Sequence, residues 1–183
     1  MVGSGPGIPG LSTWKRNLAT VVIETPKGTP NKLKYDPEAN VFRLSKVLPA
    51  GLVFPFDFGF LAGTAAPDGD PLDVLVLMDA PVVPGCVVMS RLIGVLQCEQ
   101  AEAGKRPVRN DRVIAVADAS LTHRGTRTIA DVSRTLLDEI ESFFEAYNRA
   151  ERRRFRVIRR ADRDTARRLA KRAQAAAAAA PSG

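Results

Sequence analysis

Three carboxylates fall within six residues in the segment Asp-Gly-Asp-Pro-Leu-Asp at 68–73. The apolar run Val-Leu-Val-Leu follows at once, so Asp73 opens a segment typical of a buried strand. In an extended chain Asp68 and Asp70 project from the same side about 6.6 Å apart, since each residue rises about 3.3 Å. Like charges this close repel one another unless a cation holds them. Such oxygen donors suit a hard divalent cation, above all Mg²⁺.

Two other interpretations of this acidic segment compete with metal binding. A solvated, inert acidic turn is the usual explanation of an isolated Asp-x-Asp pair. An EF-hand calcium loop fails on its spacing, because Leu72 stands where an oxygen ligand is required and Asp73 replaces the obligatory glycine. We favour metal binding by the three aspartates, although three acids alone do not name a reaction.

Short segments of β character surround the acidic segment. They are rich in Val, Ile and Leu, are separated by turn signals containing Pro and Gly, and comprise residues 19–24, 31–36, 40–44, 73–79, 86–98 and 112–117. Several strands at this spacing predict an antiparallel barrel or sandwich rather than alternating βαβ units. We expect a flexible N-terminal segment over 1–18, one domain over 19–172 and a low-complexity, alanine-rich tail over 173–183.

Two helices are predicted after the strands. From Ile129 to Tyr147 apolar residues recur every three or four positions, which indicates an amphipathic helix packed on the sheet. Thr128 and Asp131 resemble a capping box at its start. The apolar residues 155–158 then precede a polar second helix that begins near Asp162. The alanine-rich end extends that helix, but we expect it to fray because it has nothing to pack against.

Composition narrows the class of protein. With 183 residues and 45% hydrophobic content, the chain suits a globular domain with a sizeable core. No stretch approaches the roughly 20 apolar residues of a membrane span, and the first residues lack the pattern of a secretory signal. Cys86 and Cys98 are the only cysteines, which favours a reducing, cytoplasmic setting and leaves one disulfide open.

The net charge of +7 is concentrated near the C-terminus. Residues 149–172 contain twelve Arg or Lys and only three acids, so the rest of the chain is slightly acidic. A basic segment of this kind could bind nucleic acid or another polyanion through salt-sensitive phosphate contacts. We prefer a solvated helix face that steers anions, because the run has no interleaved aromatic residue beyond Phe155.

The acidic segment, continued by Val-Leu-Val, resembles the signature of the family I soluble inorganic pyrophosphatases. The resemblance covers roughly residues 19–160 in order, through VVIETPKG, NKLKYD, KVLPAGLVFPFDFGFLAGT, PVVPGCVV, IGVLQ, DRVIAVA and FFEAY. It implies an α+β, mainly β fold, namely a small closed antiparallel, OB-like β-barrel flanked by two C-terminal helices. It also implies Mg²⁺-dependent hydrolysis of pyrophosphate to two phosphates and a homo-oligomer.

The resemblance also implies roles for individual residues. Asp68, Asp70 and Asp73 correspond to Mg²⁺ ligands, and Asp70 to the carboxylate that orients or deprotonates the attacking water. Glu24 matches an acid that faces a further metal ion. Positions that match phosphate-binding residues are Lys32, Lys46, Arg112 and Tyr147. Lys46 stands where the family commonly has Arg, which gives up the bidentate fork.

Several positions depart from the family pattern. Lys34 stands where a Glu is usual, and Asn148 where a Lys is usual. Tyrosines are replaced by Phe54 and Phe58, and two metal-binding aspartates align with Gln100 and Asn110 across a longer loop. An Asn carbonyl can still bind a metal ion, but without the negative charge. Glu102 and Asp111 are the nearby acids that could take over.

We therefore expect an active pyrophosphatase that is slower, needs more metal or prefers another anionic substrate. The alternative is a protein that keeps the fold and binds phosphate or metal with little turnover, or one that binds polyanions through its basic segment.

Overall fold

Ten strands and two α-helices make up the part of the chain that the computed structural model describes, which is residue 8 and residues 10–179. Predictions for residues 1–7, 9 and 180–183 lie outside the described residues. The strands are β1 (Trp14–Lys15), β2 (Leu18–Thr25), β3 (Asn31–Asp36), β4 (Val41–Val47), β5 (Asp57–Leu61), β6 (Asp73–Leu77), β7 (Val87–Glu102), β8 (Val108–Arg109), β9 (Arg112–Ala117) and β10 (Arg153–Asp162). The helices are α1 (Arg134–Ala150) and α2 (Arg163–Ala179).

Five strands pair into a closed ring in the order β2, β5, β6, β9, β7 and back to β2. The β3–β4 hairpin forms a separate two-stranded sheet, and β10 extends the ring at β7. The mainly β fold with two C-terminal helices is confirmed. One pair departs from the antiparallel expectation, because β9 enters between β6 and β7 in the same direction as β6.

The ring strands are apolar on both faces, which explains their continuous hydrophobic runs. Along β6, Val74 and Val76 pack in a cluster that includes the buried alanines of α2, whereas Leu75 and Leu77 pack in a second cluster that includes α1. Each helix thus covers one set of alternating side chains. Asp73, the first residue of β6, is consequently fixed at the end of a strand that is buried from both sides.

Helix α1 begins five residues later than the apolar spacing suggested. The Thr128 N–H donates to the Asp131 carboxylate at 2.8 Å, but this cap starts only a 3₁₀ turn over Ile129–Asp131. Val132 is extended, and Ser133 caps α1 by accepting the Leu136 N–H at 3.2 Å. The predicted start at Ile129 is therefore wrong, because two non-helical residues, Val132 and Ser133, separate the 3₁₀ turn from α1.

Strands β5 and β10 were not predicted. In β10 the arginines alternate with half-buried apolar side chains, the pattern of an edge strand, and the strand pairs antiparallel with β7 along its length. In β5 the aromatic residues are fully part of the core. Strand β10 places a row of arginines beside the end of α1.

Helix α2 is packed as far as the first residues of the predicted alanine-rich tail, beyond which residues 175, 176, 178 and 179 are exposed. Ala166, Ala170 and Ala173 are buried at helical spacing, and the Ala173 carbonyl accepts the Ala65 N–H at 2.9 Å. Gln174 accepts the Trp14 indole N–H at 3.1 Å. Small side chains let the helix approach the sheet closely, so the residues at the start of the predicted tail are held in place.

The end of the predicted flexible segment 1–18 is likewise held in place. Strand β1 pairs with β2, and Thr13 is buried. Within the described residues, no helix is long and apolar enough to cross a membrane.

Close backbone contact at Gly59 gives a stability prediction. A Cβ added there would lie 1.9 Å from the Val22 carbonyl oxygen, whereas a Cβ at Gly125 would meet no atom within 4 Å. We expect Gly59→Ala to lower the free energy of unfolding by about 3 kcal/mol, because strands β2 and β5 must separate to relieve the clash. Gly125→Ala is the matched control and should change it by less than about 0.5 kcal/mol. Urea denaturation measures both, and equal midpoints for the two variants would contradict the packing described.

Candidate active site

A tight turn presents the aspartates of segment 68–73. The Ala66 N–H donates to the Asp70 carbonyl at 2.7 Å, and Gly69 adopts a left-handed φ of 87° that favours glycine. Leu72 anchors the turn: its side chain is buried and its N–H donates to the Thr64 hydroxyl at 3.0 Å. The turn is thus fixed by its apolar residue, which leaves the carboxylates on the open side.

These carboxylates face a cavity of about 150 Å³ at one end of the ring. Its charged lining consists of four acids, Glu24, Asp68, Asp70 and Asp73, and four cations, Lys32, Lys34, Arg112 and Arg153. The remaining lining residues are Phe58, Phe60, Pro71, Gln100, Asn110, Tyr147 and Asn148. The fold therefore brings eight of the predicted site residues together from β2, β3, the aspartate turn, β6, β9 and α1.

Two cations bind the aspartates directly. Lys34 donates to both carboxylate oxygens of Asp70, at 2.9 and 2.8 Å. Arg112 pairs with Asp73 at 2.5 Å and also donates to the Asn110 side chain. The Arg112 guanidinium is buried, and its carbon lies 5.4 Å from the centre of the Phe144 ring. A buried arginine needs such a partner, so Asp73 and Arg112 fix each other's positions.

The buried acids have raised pKa values. Burial, aided by the charge of Asp73, raises the pKa of Glu24 to about 7, although the Tyr35 N–H donates to its carboxylate at 2.7 Å. Burial also raises the pKa of Asp73, with contributions from the charges of Asp68 and Asp70, against the opposing charge of Arg112. Burial, more than repulsion between the acids, therefore disfavours the ionised forms of Glu24 and Asp73.

Lys32 and Tyr147 line the same cavity and contact each other. The Lys32 ammonium donates to the Tyr147 hydroxyl at 3.1 Å and lies 5.2 Å from the centre of the tyrosine ring. Lys46 does not line the cavity. Its ammonium lies 5.8 Å from the Tyr147 ring centre and pairs with Glu151, so it reaches the site only through these neighbours.

Glu102 and Asp111 do not line the cavity, so the suggestion that they replace the two missing aspartates is wrong. Strand β8 pairs with the end of β7. Glu102 is the last residue of β7, where it is exposed and pairs with Lys105. Asp111 points away, accepting the Cys98 N–H at 2.9 Å and pairing with Arg109.

Neutral residues occupy the positions near the cavity instead. Gln100 and Asn110 both line it. Arg153 is a lining residue that sequence reasoning missed, because its strand was not predicted. The alternation of Arg and apolar residues after 152 was the available signal.

The sequence of this chain is similar to that of known proteins over most of its length. The sequence model of the inorganic pyrophosphatase family matches residues 21–178. The chain belongs to this family. An inorganic pyrophosphatase from Synechocystis sp. is 38% identical over 139 residues, covering 76% of this chain and 79% of that protein. The protein of that name from Thermus thermophilus is also 38% identical over 139 residues, with 76% and 77% covered.

Solved structures agree with the family assignment. The crystal structure of the inorganic pyrophosphatase from Thermus thermophilus superposes with a TM-score of 0.84 at 33% identity, covering 95% of this chain and 98% of that one. The enzyme from Helicobacter pylori gives 0.83 at 31% identity, with 92% and 99% covered. The predicted family is thereby confirmed.

The acids of this pyrophosphatase-family site fit Mg²⁺ by chemistry but are arranged around cations. Glu24 and the three aspartates offer only oxygen donors, and a bound cation would favour the ionised form of Asp73, whose pKa is raised by burial and, to a smaller extent, by the charges of Asp68 and Asp70. Among residues 8 and 10–179, no group of three or more Asp, Glu, His or Cys side chains is close enough to hold an ion as it stands. Asp70 and Asp73 instead point at Lys34 and Arg112.

The raised pKa of Glu24 predicts a pH dependence of stability in protein stripped of metal with EDTA. Because this pKa is about 7 in the folded chain against an ordinary value of 4.5, the native state binds more protons than the unfolded state between these pH values. The free energy of unfolding therefore falls as pH rises through this window. Glu24→Gln removes this contribution and can still accept the Tyr35 N–H.

We expect the stability of E24Q relative to wild type to be greater at pH 8 than at pH 5 by about 2–3 kcal/mol. Denaturant titrations at both pH values measure this difference, in which the other titrating groups cancel. A difference that is the same at both pH values would show that Glu24 is ionised throughout.

Proposed function

We propose that this chain hydrolyses inorganic pyrophosphate to two phosphates with the help of Mg²⁺. The proposal rests on one observation: Asp68, Asp70 and Asp73 line the same cavity as Lys32, Arg112 and Tyr147. Membership of the pyrophosphatase family supports the same reaction. Pyrophosphate is strongly anionic, so its hydrolysis requires neutralisation of phosphoryl oxygens and an activated water.

The cations of the lining are suited to holding the substrate. Among the described residues Lys32 forms no ion pair, Arg153 pairs only with Glu151, and Tyr147 adds a hydroxyl. Arg112 is held by Asp73 and the aromatic rings, so its remaining N–H groups are oriented before substrate enters. Preorganised donors of this kind stabilise charge that develops in the transition state.

The acids that line the cavity are suited to holding the metal ion and accepting a proton. Asp68 and Asp73 would bind Mg²⁺, with Glu24 contributing from β2. The ion, when bound, supplies charge neutralisation at phosphoryl oxygens and lowers the pKa of a coordinated water. Asp70 would accept the proton of the attacking water, because it lines the cavity and lies between the two proposed ligands in the sequence.

A protein that keeps the fold but turns over pyrophosphate weakly is the second candidate. It is favoured by the neutral side chains of Gln100 and Asn110 and by the ammonium of Lys34, all of which line the cavity. Fewer negative charges attract fewer divalent ions. Phosphate release from pyrophosphate over a panel of Mg²⁺ concentrations separates the two candidates.

A cytoplasmic location and the absence of nucleic-acid binding remain predictions. Both cysteines are free, which is consistent with a reducing compartment. Several arginines of the basic segment are paired with acids, as Arg156 is with Glu99 and Arg160 is with Asp138 and Glu141. These pairs reduce the charge that is available to a polyanion.

The role of Asp70 gives the most direct activity prediction. We expect Asp70→Asn to lower kcat for pyrophosphate by about 100-fold or more, because the amide cannot accept the proton of the attacking water. Asp36→Asn is the matched control: Asp36 lies on the same hairpin as Lys34, pairs with Arg43 outside the cavity and should leave kcat unchanged. Colorimetric phosphate release measures both, and wild-type turnover by D70N would exclude Asp70 as the base.

We also propose that the chain forms a homo-oligomer. Strand β4 exposes Val41, Leu44 and Val47, with exposed fractions of 43, 58 and 61%, and Val53 nearby is also exposed. A row of exposed apolar side chains on one hairpin is typical of a contact surface.

Leu44→Asp should therefore shift the mass measured by light scattering towards the monomer, whereas Leu121→Asp, equally exposed on a loop, should not. A wild-type chain that is monomeric at all concentrations would contradict the proposal.

A further inference from the structure

Among the described cations that line the cavity, Lys34 makes the closest contact with Asp70. Its ammonium lies 2.9 and 2.8 Å from the two carboxylate oxygens, and both side chains are about half exposed. The contact joins β3 to the aspartate turn, which are 36 residues apart in sequence. It occupies both oxygens of the carboxylate that lies between the two proposed metal ligands.

The β3–β4 hairpin fixes the position of Lys34. Lys34 is paired across the hairpin with Arg43, and Lys32, two residues earlier on the same strand, also lines the cavity. The Lys34 ammonium therefore lies among the same carboxylates that would hold a divalent ion.

The charge balance of the cavity points the same way. Four acids face four cations in the lining, and Gln100 and Asn110 add polar groups without charge. A divalent ion placed at Asp70 would have to share its carboxylate with an ammonium of the same sign. Among the described residues no cation forms an ion pair with Asp68, whereas Asp73 pairs with the buried guanidinium of Arg112.

We propose that Lys34 is a built-in cation that replaces a divalent metal ion at Asp70, so that the substrate complex forms with fewer bound ions. The inference rests on the proposed function of the cavity. Its chemical consequence is that one positive charge at the water-activating carboxylate is supplied by the chain itself. Formation of the substrate complex should consequently depend less steeply on metal concentration than it would with an acid at position 34.

Manganese binding tests this proposal without relying on turnover. The probe is Mn²⁺ added to the full-length chain in the presence of imidodiphosphate, a pyrophosphate analogue with a P–N–P bridge, and free Mn²⁺ is followed by its electron paramagnetic resonance signal. The variants are Lys34→Glu, Lys34→Gln and Arg43→Glu. Arg43 is the cross-strand neighbour of Lys34, is exposed and lies outside the cavity, so R43E matches the charge change of K34E.

We expect K34E to bind one more Mn²⁺ per chain than wild type, with at least about tenfold tighter half-saturation for that ion, because the ammonium is replaced by a ligand of opposite charge. K34Q should show a smaller gain in affinity at the same position, which also guards against misfolding of K34E. R43E should bind the same number of ions as wild type.

Other outcomes identify which claim fails. If wild type and all three variants bind the same number of ions, Lys34 does not replace one, while the proposed function stands. If K34E and R43E gain equally, the effect is one of general charge, and the proposal is again overturned. If no chain binds Mn²⁺ with the analogue present, the metal site itself is absent and both the inference and the proposed function fail.

Discussion

Electrostatic repulsion among carboxylates at the end of a buried strand is the constraint on which this site depends. Asp73 belongs to a strand that is apolar on both faces, and the turn before it is held by buried Leu72. The fold therefore cannot move the aspartates apart to relieve their repulsion. Cations must come to them, either from the chain or from solution.

The chain meets part of this requirement itself. Arg112 reaches Asp73 from the neighbouring parallel strand, and Lys34 reaches Asp70 from a hairpin outside the ring. The first pair is buried and rigid, whereas the second is half exposed and can open. We therefore infer that Arg112 maintains the position of the Asp73 carboxylate, whereas Lys34 sets how many metal ions the site requires.

Local features of the site could be predicted from sequence, and long-range ones could not. The aspartate turn was readable because spacing, turn residues and the following apolar run lie in one short segment. Tyr147 needed the family resemblance, since helical spacing alone places it in an apolar stripe. The partners of Lys34 and the contribution of Arg153 depend on contacts between distant segments, and no periodicity encodes them.

The fold shows the same distinction. Four of the five ring strands were predicted from their apolar runs. Strands β5 and β10 were missed, the latter because arginines outnumber apolar residues in its sequence. The start of α1 was misplaced because two non-helical residues, Val132 and Ser133, divide two segments with a common apolar face. Ala173 was assigned to an unpacked tail, since a side chain this small carries almost no hydrophobic signal although it allows close helix–sheet contact.

The central claim is that these carboxylates hold divalent cations against a P–O–P anion. Anomalous diffraction from crystals soaked with Mn²⁺ and imidodiphosphate tests it most directly. We expect an anomalous peak within coordination distance of Asp68 and Asp73, with the analogue on the side of Lys32 and Tyr147. An analogue bound in the cavity with no anomalous peak near either aspartate would contradict this account.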